Sequence, residues 1–172
     1  MQQEGIQLLG RVFSKYSDQL MMAAHAHELL AGYFKRVKNF AAAEAEYREV
    51  LKYYEATPSR TFTSGLADLS LVELILDTRA SGQYGEAESL MRALSQKTQA
   101  HTMLNSNLFR YHSAFARVLS RTGRPGEAAQ YAVLALKLAQ IQDPQFPRHP
   151  TVGIPSPDPE ILKELHRIAA NV

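Results

Sequence analysis

The chain has 172 residues, 45% of them apolar and 21% charged, with a net charge of +2 when histidine is neutral. That length suffices for one domain with a sizeable core or for a short stack of repeats, and so balanced a charge argues against a nucleic-acid binder. Cysteine is absent, which excludes disulfides, thiolate metal sites and cysteine nucleophiles and is compatible with a reducing cytoplasm.

The densest apolar run, Leu66 to Leu76, is interrupted by Asp68, Ser70 and Glu73. It is also far shorter than the roughly 20 residues a bilayer requires. The N-terminus lacks the basic-then-apolar plan of a signal peptide. A cytoplasmic chain without a membrane partner is the expectation.

In chain order, residues 3–16 read as a single helix, because "EGIQLLGRVF" can be laid on the later "EAESLMRALS". Gly5 then takes the small position, and Leu9 and Val12 take the apolar ones. Three longer segments follow, at about 18–56, 65–99 and 104–142. The first runs His27-x2-Leu30-Ala31-x2-Phe34, then Asn39-Phe40, then Ala43-x3-Tyr47. The second runs Leu71-x2-Leu74-Ile75-x2-Thr78, then Gly82-Gln83-Tyr84, then Ala87-x3-Met91. The third runs His112-x2-Phe115-Ala116-x2-Leu119, then Gly123-Arg124-Pro125, then Ala128-x3-Ala132. In every copy 16 residues separate the first named residue from the Ala of the second helix. Apolar residues three and four apart give each helix one buried stripe. Gly82 and Gly123 suit a helix stop before a tight turn, and Ala43, Ala87 and Ala128 are small where two helices must approach.

Residues 144–157 form a Pro-rich connector, and the stretch "DPQFPRHPTVGIPSPDP" holds six of the eight prolines. Such a segment is expected to run extended in a polyproline-like conformation. A sharper expectation is that Phe146, Val152 and Ile154 dock back as an occupant of the array's own groove. Residues 158–172 open with Asp158-Pro159-Glu160, an N-cap, a first-turn proline and a first-turn acid. Ile161, Leu162, Leu165 and Ile168 then give that helix the single apolar face of a cap.

The layout resembles the tetratricopeptide repeat, whose signature places an aromatic, Leu-Gly, Tyr, Ala and Phe at matching offsets. The resemblance implies an all-α fold, an α-solenoid of antiparallel helix hairpins over residues 1–143. His27, Leu71 and His112 replace the leading aromatic, and successive Ala positions lie 44 and then 41 residues apart, longer than the usual 34 or so. Long second helices and the phrase "GQYGEAESL" are similar to the kinesin-light-chain subtype. Residues 3–16 would be the second helix of a repeat whose first helix is missing. An unpartnered helix leaves an apolar stripe open. The chain is therefore expected to be part of a longer protein, or to cover that helix in a homo-oligomer.

The chemistry of enzymes is not written here. There is no G-x-S-x-G, Walker-type loop, G-x-G-x-x-G after a strand or H-E-x-x-H, and neither a cofactor nor a metal is expected. His25 and His27 are two apart and point to different helix faces, while His112 repeats the position of His27 and reads as a packing residue. What remains is surface. In this family the first helix of each pair lines the concave face, which implies His25, Glu28, Gly32, Lys35 and Arg36 in the first copy. Leu69, Val72, Leu76 and Arg79 follow in the second, and Arg110, Ser113, Arg117 and Arg121 in the third. Six of these are Lys or Arg against one Glu. A basic groove with an apolar centre suits an acidic peptide with an apolar anchor. The candidate binding residues are Lys35, Arg36, Leu69, Val72, Leu76, Arg79, Arg110, Arg117 and Arg121. A plainer account is that Lys35, Arg36, Arg79 and Arg121 lie in last turns, where the helix dipole favours cations. The carboxylate clamp of some family members needs Lys and Asn where Glu28, Gly32 and Glu73 stand, so that ligand is not expected. The function expected is a protein-interaction scaffold. The alternatives are a sensor segment of a bacterial signalling or transcription regulator, and a secretion-type chaperone, which would call for the standard repeat spacing.

Overall fold

A computed structural model describes residues 9–11, 19–57, 60, 62–97 and 104–171. Those residues are all-helical and contain no β-strand, and none of their helices is long and apolar enough to cross a membrane. Residues 9–11 are helical. The rest of the expected half repeat at 3–16 lies outside the described residues. Chain contacts divide the protein into two compact units, Met1–Leu74 and Ile75–Val172.

In the first unit, α1 (Leu20–Arg36) packs on α2 (Phe40–Ala56). α1 turns Ala24, Ala26, Leu30 and Ala31 inward, and α2 answers with Ala43, Tyr47, Val50, Tyr53 and Tyr54. Ala43 is fully enclosed, so the missing side-chain bulk is what lets the helices close. The Asn39 side chain caps α2 by accepting the Ala42 N–H at 3.3 Å. The loop after α2 is tied down by side chains. The guanidinium of Arg60 lies 2.8 Å from Asp68 and 4.3 Å above the Tyr54 ring, and it also donates to the Gly65 carbonyl at 2.8 Å. The Ser64 N–H donates to Glu28 of α1 at 2.7 Å, and the Ser64 hydroxyl bonds the same carboxylate. Burial pushes the Tyr54 phenol up to about 12.

Helix α3 (Ala67–Thr78) carries the division between the units within its length. A 3-10 turn (Ser81–Gln83) leads into α4 (Tyr84–Lys97), then α5 (Asn105–Arg121), α6 (Pro125–Leu138) and α7 (Pro159–Ala169). In the second unit α5 packs on α4, α6 and α7, and α6 also packs on α7. Ala87 on α4 and Ala128 on α6 are both fully enclosed. Pro125 occupies the first turn of α6, where its missing N–H costs nothing.

Three helices end alike. In α1, α3 and α5 the N–H two residues past the cap reaches back to a carbonyl of the last turn: Asn39 to Phe34 at 2.9 Å, Ala80 to Ile75 at 3.1 Å, and Arg124 to Leu119 at 2.9 Å. The residue in between is left-handed: Lys38 (φ 60°), Arg79 (φ 55°) and Gly123 (φ 77°). This is the Schellman termination. Gly123 fills it as expected, but in the second copy the stop falls at Arg79, and Gly82 lies beyond it in the 3-10 turn.

The Pro-rich connector is not extended. Its backbone closes on itself through Gln145 N–H to Val152 O (2.9 Å), His149 N–H to Phe146 O (2.9 Å) and Val152 N–H to His149 O (3.1 Å). The Gln145 side chain accepts the Asn105 N–H at 2.9 Å, satisfying an otherwise orphaned donor at the start of α5. Gly153 (φ 84°) is required here, because a Cβ would sit 2.6 Å from that of Gln145. Phe146, expected to dock inward, is 43% exposed, whereas Gly153 and Pro155 are the buried residues of the segment.

Candidate functional site

The second unit contains a cleft of about 620 Å³ lined by Arg79, Tyr84, Arg121, Glu160, Lys163, Glu164 and Arg167. Four elements place these residues. Arg79 is fixed by the hydrogen-bonded end of α3, and Tyr84 opens α4 directly after the 3-10 turn. Arg121 is the last residue of α5, with its guanidinium 5.5 Å from the centre of the Tyr84 ring, within reach of a cation–π attraction. Helix α7 contributes the other four from one polar face, at spacings of three and four residues that bring side chains together. Its start is secured by Asp158, whose side chain accepts the Glu160 N–H at 2.7 Å.

Within the cleft the charges are unevenly satisfied. The Glu164 carboxylate is shared: one oxygen lies 2.9 Å from Arg117 Nε and the other 3.0 Å from Arg121 Nη2. Lys163 lies 2.7 Å from Glu160, but both side chains are largely exposed, so solvent screens that pair. Arg79 and Arg167 have no acidic partner among the described residues. Four cations against two acids leave the lining with an excess of positive charge. Elsewhere in the second unit, Glu88 of α4 bonds Arg92 (2.8 Å) and Arg124 (2.9 Å), joining α4 to the start of α6. The Thr122 hydroxyl first, and then those two guanidiniums, hold the Glu88 carboxyl below the usual carboxylate range.

The nine candidate residues are divided by the structure. Arg79 and Arg121 come together in the cleft. Arg117 stands behind it, buried and committed to Glu164. Arg110 is half-buried with interactions of its own. Lys35 sits in the first unit 3.7 Å from Glu73, and Arg36 is exposed at the end of α1. Leu69, Val72 and Leu76, expected to form the groove's apolar floor, are core residues instead, 0%, 0% and 1% exposed. No ligand reaches side chains so enclosed. The sequence held the signal for this, since Leu71, Leu74 and Ile75 already form one stripe of α3. Adding Leu69, Val72 and Leu76 makes the helix apolar all round, and such a helix is buried.

Tyr84 and the four α7 residues were not among the candidates. The charges recurring along Glu160, Lys163, Glu164 and Arg167 could have marked them, but on a helix with one apolar face that pattern reads first as a solvated face. Among the two repeat-equivalent histidines, His27 Nδ1 donates to Glu46 at 2.6 Å. His112 lies against the rings of Tyr111 (5.2 Å) and Tyr131 (5.7 Å), and its Nδ1 has no hydrogen-bond partner among the described residues. Burial holds the His112 imidazole below its ordinary value. No three His, Asp or Glu side chains converge among the described residues in the manner of a metal site. The chain matches no family model, no curated protein and no solved structure.

Proposed function

We propose that this protein is a non-catalytic interaction module, built from tetratricopeptide-like helix hairpins, that holds an acidic segment of a partner protein in the cleft of its second unit. The observation that carries this reading is the convergence of Arg79, Arg121, Lys163 and Arg167 on one cleft, with Arg79 and Arg167 lacking an acidic partner among the described residues. Guanidinium groups in that state are forked donors suited to bidentate contact with carboxylates or phosphates. The hairpin reading is supported by the α1–α2 and α5–α6 pairs, by the enclosed Ala43, Ala87 and Ala128, and by the shared termination of α1, α3 and α5.

The recognition surface differs from a groove with an apolar floor. The leucines and valine of α3 stabilise the fold, and the ligand meets charge from Arg79, Arg121 and the polar face of α7. The test is fluorescence anisotropy with a labelled peptide rich in Glu and Leu, alongside its Lys-substituted counterpart. The acidic peptide is expected to bind, to weaken steeply as salt is added, and to be released by the double variant Arg79→Glu, Arg167→Glu. Equal binding by the charge-reversed protein would overturn the assignment of the cleft.

A further inference from the structure

The charge left over in the cleft distinguishes between kinds of anion. Glu164 is divided between Arg117 and Arg121 and can neutralise only one of them. Glu160 and Lys163 satisfy each other at 2.7 Å in solvent. Two guanidiniums, Arg79 and Arg167, line the same cleft and remain for a ligand. A carboxylate brings one charge and two acceptor oxygens, enough for one guanidinium fork. A phosphate monoester brings a charge of about −1.5 to −2 and three strong acceptor oxygens, which suits it to two forks at once. Resting on the reading of the cleft as a partner-binding site, we infer that the group it recognises is a phosphate monoester carried on a protein segment.

Two further features support a phosphorylated protein segment over other phosphates. The cleft, at about 620 Å³, is many times larger than a phosphate ion and has room for the residues that flank a phosphate carried on a protein segment. Glu160 and Glu164 interrupt the positive lining, which suits a single isolated dianion better than a ligand with charge at every step, such as a nucleic-acid backbone. The backbone that carries each guanidinium is set by its helix. Arg79 is held at its helix end by the Arg79 N–H to Leu76 O (3.3 Å) and Ala80 N–H to Ile75 O (3.1 Å) bonds. Arg167 stands one turn beyond Lys163 on the same face of α7.

The experiment compares three labelled peptides that share one sequence and carry Ser, Glu or phosphoserine at the central position. The phosphoserine peptide is expected to bind about tenfold more tightly than the Glu peptide, the advantage of a doubly charged, three-oxygen group over a carboxylate. The variant Arg79→Gln, Arg167→Gln, both positions being exposed, should bring the two to near parity. Inorganic phosphate should displace the phosphopeptide only at far higher concentration. Parity of the Glu and phosphoserine peptides on the wild type would overturn the phosphate inference while leaving the acidic-segment reading intact. Failure of both to bind would overturn the two together. Displacement by inorganic phosphate at equal concentration, or a preference that survives the double Gln variant, would also overturn the inference.

Discussion

Replacing Glu164 with Gln gives the sharpest test, because it is expected to move stability and binding in opposite directions. The carboxylate makes two contacts, at 2.9 Å to Arg117 and 3.0 Å to Arg121, and the three side chains are 19%, 9% and 24% exposed in that order. Glutamine preserves the shape and one acceptor oxygen but removes the charge. Breaking a fully buried pair costs about 3–5 kcal/mol, whereas an exposed pair is worth about 1 kcal/mol or less. Arg117 is nearly enclosed and Arg121 a quarter open, so the expected loss is about 2 kcal/mol, between those limits. Urea unfolding would record this as a lower midpoint with an unchanged slope. The same change adds a unit of positive charge to the cleft lining, so acidic and phosphorylated peptides should bind more tightly at low salt. A stability change below about 0.5 kcal/mol would show that the pairs are screened by solvent in spite of their burial. A weaker affinity would show that the cleft does not select its ligand by charge.

Lys38→Gly is expected to stabilise the protein by about 1 kcal/mol by relieving a left-handed lysine, read as a higher urea midpoint. Arg79→Gly should bring a similar gain and weaken peptide binding, so the pair separates helix-end strain from ligand contact. Gly153→Ala should cost about 2 kcal/mol or more, since it combines a positive φ with a Cβ placed against that of Gln145, and thermal unfolding would report it. The depressed pKa of His112 means that the folded state binds fewer protons than the unfolded chain. Its contribution is complete above the unfolded value of about 6.5 and is lost as pH falls through the folded one. His112→Phe should therefore flatten the stability profile below about pH 6.5, and an unchanged slope would contradict the burial argument.

The helical class was legible wherever a local rule acts alone. Asn39 and Asp158 cap as their residue types dictate, Pro125 opens α6, and Gly123 closes α5. What the sequence concealed is set by tertiary context. The left-handed stop of α3 falls on Arg79, although Gly82 is nearby and better suited to it, because Ala80 N–H reaches Ile75 O. Spacing alone does not choose between two such registers. The connector departs from an extended path for a related reason. Proline restricts φ and removes donors, which favours an extended chain. Gln145, however, supplies both a backbone bond to Val152 and a side-chain acceptor for Asn105, and these contacts fold the segment into a closed loop. In the candidate site the cations of α5 were visible as a charge skew. Their partner Glu164 lies more than forty residues away in sequence, beyond the reach of any periodicity argument.

Helix α7 ties the architecture to the proposed chemistry. A helix packed on a core through one face needs apolar residues there and is free to keep the other face polar. Here Leu165 and Ile168 are buried in the sealing role, while the polar face supplies Glu160, Lys163, Glu164 and Arg167 to the cleft. Sealing and recognition therefore depend on the same docking of α7 against α5 and α6. The Glu164 contacts contribute to that docking and at the same time take up charge that a ligand would otherwise meet. A change on the apolar face, such as Leu165→Ala, would weaken binding only by loosening the wall. A change at Arg167 would weaken binding with the wall still in place. If the peptide is bound where the excess charge lies, these two lesions must separate: the first lowers stability and affinity together, and the second lowers affinity alone.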